Sequence, residues 1–178
     1  MNSISDHIST VRSLLQTVPD FPKPGILFYD ISSVLREASG FLACIEGMDQ
    51  MISNFNFNKI AAIDARGFIL GAALAQKHQR GLVLLRKKGK LPGPVISSTY
   101  GLEYGNDSLE LSSTALVKGD TVILIDDVLA TGGTARAACE LIKNLGASVS
   151  LAAFLIELPE LEGQKKLDGI NVKSLLKF

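Results

Sequence analysis

The amino-acid sequence predicts an α/β fold, an open, mainly parallel, twisted sheet flanked by helices and interrupted by one long insert. Two observations carry that prediction. Short apolar runs and helical periodicities alternate as strand, helix, strand, and they do so twice, around residues 60–86 and 121–156. The runs are continuous rather than alternating, as they are in parallel strands covered on both faces. With 178 residues and 47% hydrophobic content, the chain can fill one sizeable core, so residues 1–178 are expected to form a single domain.

In chain order, Ile4, Ile8, Val11 and Leu15 recur at the spacing of one face of an amphipathic helix. Pro19, Pro22, Pro24 and Gly25 stop that helix and make a stiff, extended connection to Ile26, Leu27 and Phe28, which reads as a positioned loop. Phe41, Ile45, Met48, Ile52 and Phe55 again repeat at helical spacing. The run from Ile60 to Asp64 reads as a buried strand, a helix follows Gly67 to about Gln79, and Gly81 to Arg86 makes the next strand.

The second unit is a strand from Thr121 to Ile125, a helix from Thr134 to Leu145 that ends at Gly146, and a strand from Val149 to Ile156. Between the units, residues 87–119 are rich in Gly, Ser and charge. TYGLEY and SLELS flank Gly105, Asn106 and Asp107, which predicts a flexible hairpin turning at those residues. Right-handed crossovers would bring the strand C-termini to one edge, where open α/β sheets hold ligands. Asp64, Arg86, Asp126 and Asp127 are expected there.

The bulk numbers narrow the function classes. Eighteen basic and eighteen acidic side chains cancel, so the overall positive field of a nucleic-acid binder is missing and any anion site must be local. Cys44 and Cys139 lack the spacing of a zinc site or a disulfide framework, which fits a reducing, cytoplasmic setting. No apolar run approaches the roughly 18 residues of a membrane span. His7 and His78 carry no partner pattern.

The chemistry concentrates in VILIDDVLATGGT, Val122 to Thr134. Ala130, Thr131, Gly132 and Gly133 let the backbone approach a ligand, and N–H groups at a helix start concentrate positive potential on a phosphate. Thr131 and Thr134 add hydroxyls. Asp126 and Asp127 just before them can accept hydrogen bonds from sugar hydroxyls or organise a hydrated Mg²⁺. Phosphate plus diol describes a ribose phosphate. No GxGxxG follows a strand and no lysine follows a GxxxxG loop, so the dinucleotide and nucleoside-triphosphate cradles do not fit.

Two acidic residues followed by Ala-Thr-Gly-Gly-Thr resemble the defining loop of the type I phosphoribosyltransferases. Three further segments resemble the adenine-specific branch of that family: PDFPKPGILFYDIS from Pro19, DARGFILG from Asp64, and RKKGKLPG through YGLEYG between Arg86 and Gly105. The resemblance implies a purine-salvage transfer of adenine onto 5-phosphoribosyl 1-pyrophosphate (PRPP), giving AMP and pyrophosphate with Mg²⁺, in a cytoplasmic homodimer with no nucleic-acid or membrane partner.

It also implies the site. Ala130, Thr131, Gly132, Gly133 and Thr134 would hold the 5-phosphate, and Asp126 and Asp127 the ribose hydroxyls. Asp64, Ala65 and Arg66, with a non-proline cis peptide between the first two, would join Lys87 and Lys90 at the pyrophosphate, leaving Lys88 to solvent. Residues 1–33 would supply a helix and a base-binding hood in which adenine stacks near Phe28, is read by the backbone of Leu27, and is covered by Leu158. Residues 87–119 would be the flexible catalytic loop over the site, with Glu103 near purine N7 and Tyr104 beside it as catalytic residues. Tyr29 stands where many members carry arginine. Two other readings share these residues: transfer to another purine, or a non-catalytic regulator that senses purine or PRPP.

Overall fold

Ser3 opens the first helix with a reciprocal cap, its side chain accepting the Asp6 N–H while the Asp6 carboxylate accepts the Ser3 N–H at 2.9 Å. This is a computed structural model, and it describes residues 3–102 and 105–178. The first helix, α1 (Ile4–Leu14), buries His7 and Val11, while Ile4 stays exposed. Of the face expected at 4, 8, 11 and 15, Ile8, Val11 and Leu15 pack on the core and Ile4 does not.

The expected extended connection is more ordered than a loop. Residues Gln16–Pro19 (β1) and Leu27–Asp30 (β2) pair antiparallel as a two-stranded ribbon, in register from Gln16 opposite Asp30 to Pro19 opposite Leu27. A short helix α2 (Ser32–Leu35) and the long α3 (Ala38–Ile52) follow.

The main sheet has seven strands. They are β3 (Lys59–Ile63), β4 (Gly81–Lys87), β5 (Val95–Leu102), β6 (Gly105–Ser112), β7 (Thr121–Leu129), β8 (Ser148–Glu157) and β9 (Val172–Lys177), in spatial order β5-β6-β4-β3-β7-β8-β9. The contacts β4-β3-β7-β8-β9 are all parallel, and β5 and β6 add an antiparallel edge. Helices α4 (Arg66–Lys77) and α5 (Gly133–Asn144) make the two crossovers. The mainly parallel α/β sheet expected from sequence is the observed one.

Burial explains the continuous apolar runs. Along β7, Ile123 and Ile125 pack with Met48 of α3 and Leu70 of α4 on one face, while Val122 and Leu124 pack with Leu141 and Ile142 of α5 on the other. Alternation by two therefore points every residue into one core layer or the other, and none of the four can be polar.

Two expectations about the insert change. The hairpin exists, but Leu102 faces Gly105 in register, so Gly105, Asn106 and Asp107 belong to β6. The cross-strand pairing of Tyr100 with Asp107 extends the ladder past the Gly-Asn-Asp signal that local turn chemistry favoured. The hairpin also joins the main sheet, through Arg86 opposite Glu110 and Lys87 opposite Leu109. Among the described residues no helix is long and apolar enough to cross a membrane.

Candidate active site

The C-terminal ends of β3, β4 and β7 converge on one edge, as the crossover rule requires. Strand β3 pairs with β7 only as far as Ala62 opposite Ile125. Beyond that rung β7 continues to Leu129 beside β8, so Asp126 and Asp127 lie within the strand rather than after it, at the point where the side facing β3 opens. The opening is filled by residues 64–66. Gly67 is needed there, since a Cβ on it would stand 2.9 Å from Asp126 Oδ1.

The two carboxylates occupy different environments. Asp127 is buried and takes its charge partner from Arg66, whose Nε donates to Oδ2. Asp126 accepts the Asp127 N–H at 2.9 Å, and burial together with the neighbouring Asp127 charge holds its carboxyl well above the ordinary value of 3.8. The Arg66 guanidinium also lies 5.1 Å from the centre of the Phe28 ring, joining the acidic pair to the N-terminal ribbon.

After Leu129 the chain turns through Ala130, Thr131 and Gly132 into α5. Gly132 has φ +76°, a left-handed cap with no side-chain hydrogen bond, so the first-turn N–H groups of α5 point outward without a capping partner. A Cβ on Gly132 would meet the Gly163 carbonyl oxygen at 2.3 Å, and a Cβ on Gly163 would meet the Ala130 oxygen at 2.1 Å. The loop is therefore backed by the main chain of the segment after β8. Tyr100 of β5 reaches the same place: its hydroxyl meets Thr134 and Asp107, and burial pushes the phenol up.

A cavity of about 370 Å³ opens beside this loop, lined by Leu27, Phe28, Arg66, Ala130, Thr131 and Leu158 among others. Phe28 is held edge-on by Phe21 at 5.0 Å, and the Leu158 N–H donates to Leu129 O at 2.9 Å. The walls expected for a base and the loop expected for a phosphate thus share one cavity.

Lys87 and Lys90 stand apart from it on an exposed turn. Lys87 Nζ lies 3.2 Å from Asp107, which holds its ammonium pKa up. The turn is fixed by the Gly89 N–H donating to buried Glu110 at 2.9 Å and by Arg86 Nη1 donating to Lys90 O at 3.0 Å. Arg86 Nε also reaches Asp64 at 3.2 Å, so one side chain ties the basic turn to residues 64–66, whose Asp64–Ala65 peptide is cis. Among the described residues no three His, Cys, Asp or Glu side chains gather as a metal cage.

The comparisons with known proteins fit this geometry. Residues 31–175 match the phosphoribosyl transferase domain. An adenine phosphoribosyltransferase of Leptospira biflexa is 49% identical over 174 residues, 96% of this chain and 98% of that one. The crystal structure of adenine phosphoribosyltransferase from Thermoanaerobacter pseudethanolicus superposes with a TM-score of 0.94 at 45% identity, covering 96% of this chain and 99% of the other. The chain belongs to the adenine phosphoribosyltransferase family. A yeast adenine phosphoribosyltransferase, from Saccharomyces cerevisiae, was solved with an imino-altritol bisphosphate and adenine; it shares 35% identity and a TM-score of 0.91 over 97% of this chain and 99% of its own.

Within this family frame, Leu27, Phe28, Leu158, Ala130, Thr131 and Arg66 are gathered at one cavity, and Arg66 ties that cavity to Asp127. Arg66, expected among the pyrophosphate ligands, here sits between Asp127 and Phe28. Glu103 and Tyr104 lie outside the described residues. Arg86 stands at the strand end where the sequence placed it, and Tyr100 lies on the hairpin expected over the site. Sequence reading gave no role to Glu110, Leu161 or Gly163, which depend on strand register or on a segment distant in sequence.

Proposed function

We propose that the chain forms AMP and pyrophosphate from adenine and PRPP. The observation that carries this reading is the cavity in which an apolar, Phe28-lined slot meets the capless N-terminus of α5. A flat base fits the slot and a 5-phosphate fits the N–H groups, so the ribose must span the gap at Asp126 and Asp127. Adenine fits best because the backbone of Leu27, on the hood ribbon, can donate to and accept from the amine edge of that base.

The reaction breaks the bond from ribose C1 to pyrophosphate oxygen and forms one from C1 to adenine N9, the base giving up one ring proton. As pyrophosphate leaves, C1 becomes cation-like, so the chain's work is positioning and charge stabilisation rather than covalent attack. Asp126 and Asp127 orient the hydroxyls next to that carbon. Residues 64–66 and the turn with Lys87 and Lys90 face the departing pyrophosphate, with Arg86 setting the distance between them. On the family resemblance, Glu103 accepts the proton that the base carries on N7 as N9 bonds to C1, with Tyr104 beside it.

Mg²⁺ fits this donor set as an ion that arrives with substrate, because Asp64 and Asp127 already hold arginines and the remaining ligands would be phosphate and water oxygens. When bound, it neutralises charge on the pyrophosphate. The resemblance also supports a cytoplasmic homodimer. Leu82 and Leu84, exposed on β4 while Val83 and Leu85 are buried, offer an apolar face for a second copy.

Pyrophosphate release measured with adenine, hypoxanthine, guanine and orotate tests the proposal. Turnover of adenine with PRPP and Mg²⁺ is expected to exceed that of the other bases, and equal or faster use of another base overturns it. In the same assay format, Glu103→Gln is expected to slow the single-turnover rate by about 10²- to 10⁴-fold with a smaller change in adenine affinity.

A further inference from the structure

Lys87 at the end of β4 and Thr134 in the first turn of α5 are joined through side chains of the hairpin between them. Tyr100 of β5 and Asp107 of β6 are cross-strand partners, so their side chains leave the same face of the hairpin. That face lies against α5. Tyr100 shares a cavity of about 260 Å³ with Gly133 and Arg136, and Ser98, two residues earlier on the same face, donates to Glu140 at 3.4 Å. The Tyr100 hydroxyl meets Thr134 on one side and Asp107 on the other, and Asp107 Oδ2 lies 3.2 Å from Lys87 Nζ.

The protons of this chain have one arrangement. Desolvation pushes the Asp107 carboxyl up, but the Ser108 N–H at 2.8 Å and Lys87 bring it below its ordinary value, so it is a carboxylate at neutral pH. A carboxylate only accepts, so Tyr100 donates its single O–H to Asp107 and takes a hydrogen bond from the Thr134 hydroxyl. Lys87 gives Asp107 one N–H and keeps two for an anion. Stability does not account for the pair: the Lys87 side chain is 58% exposed, where an ion pair is screened and contributes little. What the pair does is hold a long, rotamer-rich side chain in one place before any ligand arrives.

We infer that Asp107 and Tyr100 are positioning residues for the pyrophosphate end of PRPP. Asp107 aims the Lys87 ammonium, and Tyr100 fixes Asp107 against the start of α5, so the hairpin gauges the span between the substrate's pyrophosphate and its 5-phosphate. The inference rests on Lys87 as a pyrophosphate ligand, as in the reading above, and adds residues that act through it.

The test is a double-mutant cycle on the full chain. Magnesium pyrophosphate and AMP are titrated calorimetrically, each alone, and PRPP kinetics are measured at saturating adenine. Asp107→Asn keeps the shape and the ladder but releases Lys87. Its kcat/KM for PRPP and its pyrophosphate affinity are expected to fall about 10- to 100-fold, the scale on which misplacing a binding group acts, with AMP affinity within about twofold of native. Tyr100→Phe keeps the ring and should show the same pattern at about three- to tenfold, as for loss of a neutral hydrogen bond. In the Lys87→Ala background, Asp107→Asn should add nothing, because it acts only through that lysine. A merely structural Asp107 would weaken AMP and pyrophosphate together or add to the effect of Lys87→Ala, and either result overturns the inference. Native pyrophosphate affinity in Asp107→Asn overturns it too, leaving Lys87 as a ligand if Lys87→Ala binds pyrophosphate weakly. Native pyrophosphate affinity in Lys87→Ala removes the ligand reading beneath the inference, and the inference with it.

Discussion

Asp120, just before strand β7, and Asp126, within it, are treated by the fold in opposite ways. Asp120, at the N-terminal edge of the sheet, accepts Lys59 Nζ at 2.6 Å, Asn58 Nδ2 at 2.8 Å and the Val117 N–H at 2.9 Å. The Lys59 contact and those N–H donors bring its carboxyl down to about 2. Asp126, at the C-terminal edge, has one backbone donor, no ion pair among the described residues, and a carboxyl pushed up by burial and by Asp127. One edge uses its acid to hold β3 and β7 together, and the other leaves its acid with a single backbone donor, free to take further hydrogen bonds. A perturbed carboxyl marks the candidate working edge of this sheet.

Substitution of the two acids separates these roles most sharply. Asp126→Asn keeps the shape and the Asp127 N–H contact but cannot ionise. Catalysis should fall about 10²-fold or more in kcat/KM, as when a positioned polar contact is removed. Stability should move the other way. A carboxyl whose folded pKa is raised costs stability at pH values above its unfolded value of 3.8, because the unfolded chain loses the proton more readily. Asn removes that cost, so the denaturant midpoint at pH 7 is expected to rise. A variant that is both inactive and less stable would break the contrast.

Asp120→Ala should give the mirror image. Its partners at Asn58 and Val117 lose their acceptor, which costs about 1–3 kcal/mol of unfolding free energy, while steady-state kinetics with adenine should stay within about twofold because the residue is at the far edge from the site. Urea titration and initial rates on one preparation check both halves. If activity falls along with stability, the two edges are coupled and the comparison fails.

The smallest effect is in pH. Asp120's folded pKa is depressed, so its contribution is fully present above 3.8 and is lost as pH falls toward about 2. Native chain minus Asp120→Asn, compared by unfolding midpoint between about pH 5 and pH 2, should show a gap that closes as acid is added. A gap unchanged across that window would mean the interactions of Asp120 do not depend on its charge.

The sequence disclosed the units that local pattern decides. Both strand–helix–strand repeats, the hairpin and the turn from Ala130 into α5 were legible because apolar period and glycine placement determine them within a short window. Strands β1 and β9 were not. QTVP is short, fully exposed and ends in proline, and VKSLLK mixes charge into its apolar residues; each becomes a strand only because a partner supplies the register. Strand β7 was read too short because carboxylates normally signal a strand's end, and here they continue it beside β8. In the candidate site, contiguous residues could be named from the sequence and pairing-dependent ones could not: Glu110 gains its turn contact from lying opposite Arg86, and Leu161 its pocket contact from the segment after β8.

The reciprocal contact between Gly132 and Gly163 bears on how this lineage can diverge. A side chain at either position would collide with carbonyl oxygens or amide nitrogens of the other segment, at 2.1–2.9 Å. Clashes between side chains can be relieved by a second, smaller residue, but no exchange of residue removes a main-chain atom. The two sites therefore have no compensating partners in sequence space, and a library randomised at both together should return glycine at each among its active members, however freely Glu162 and Gln164 beside them drift.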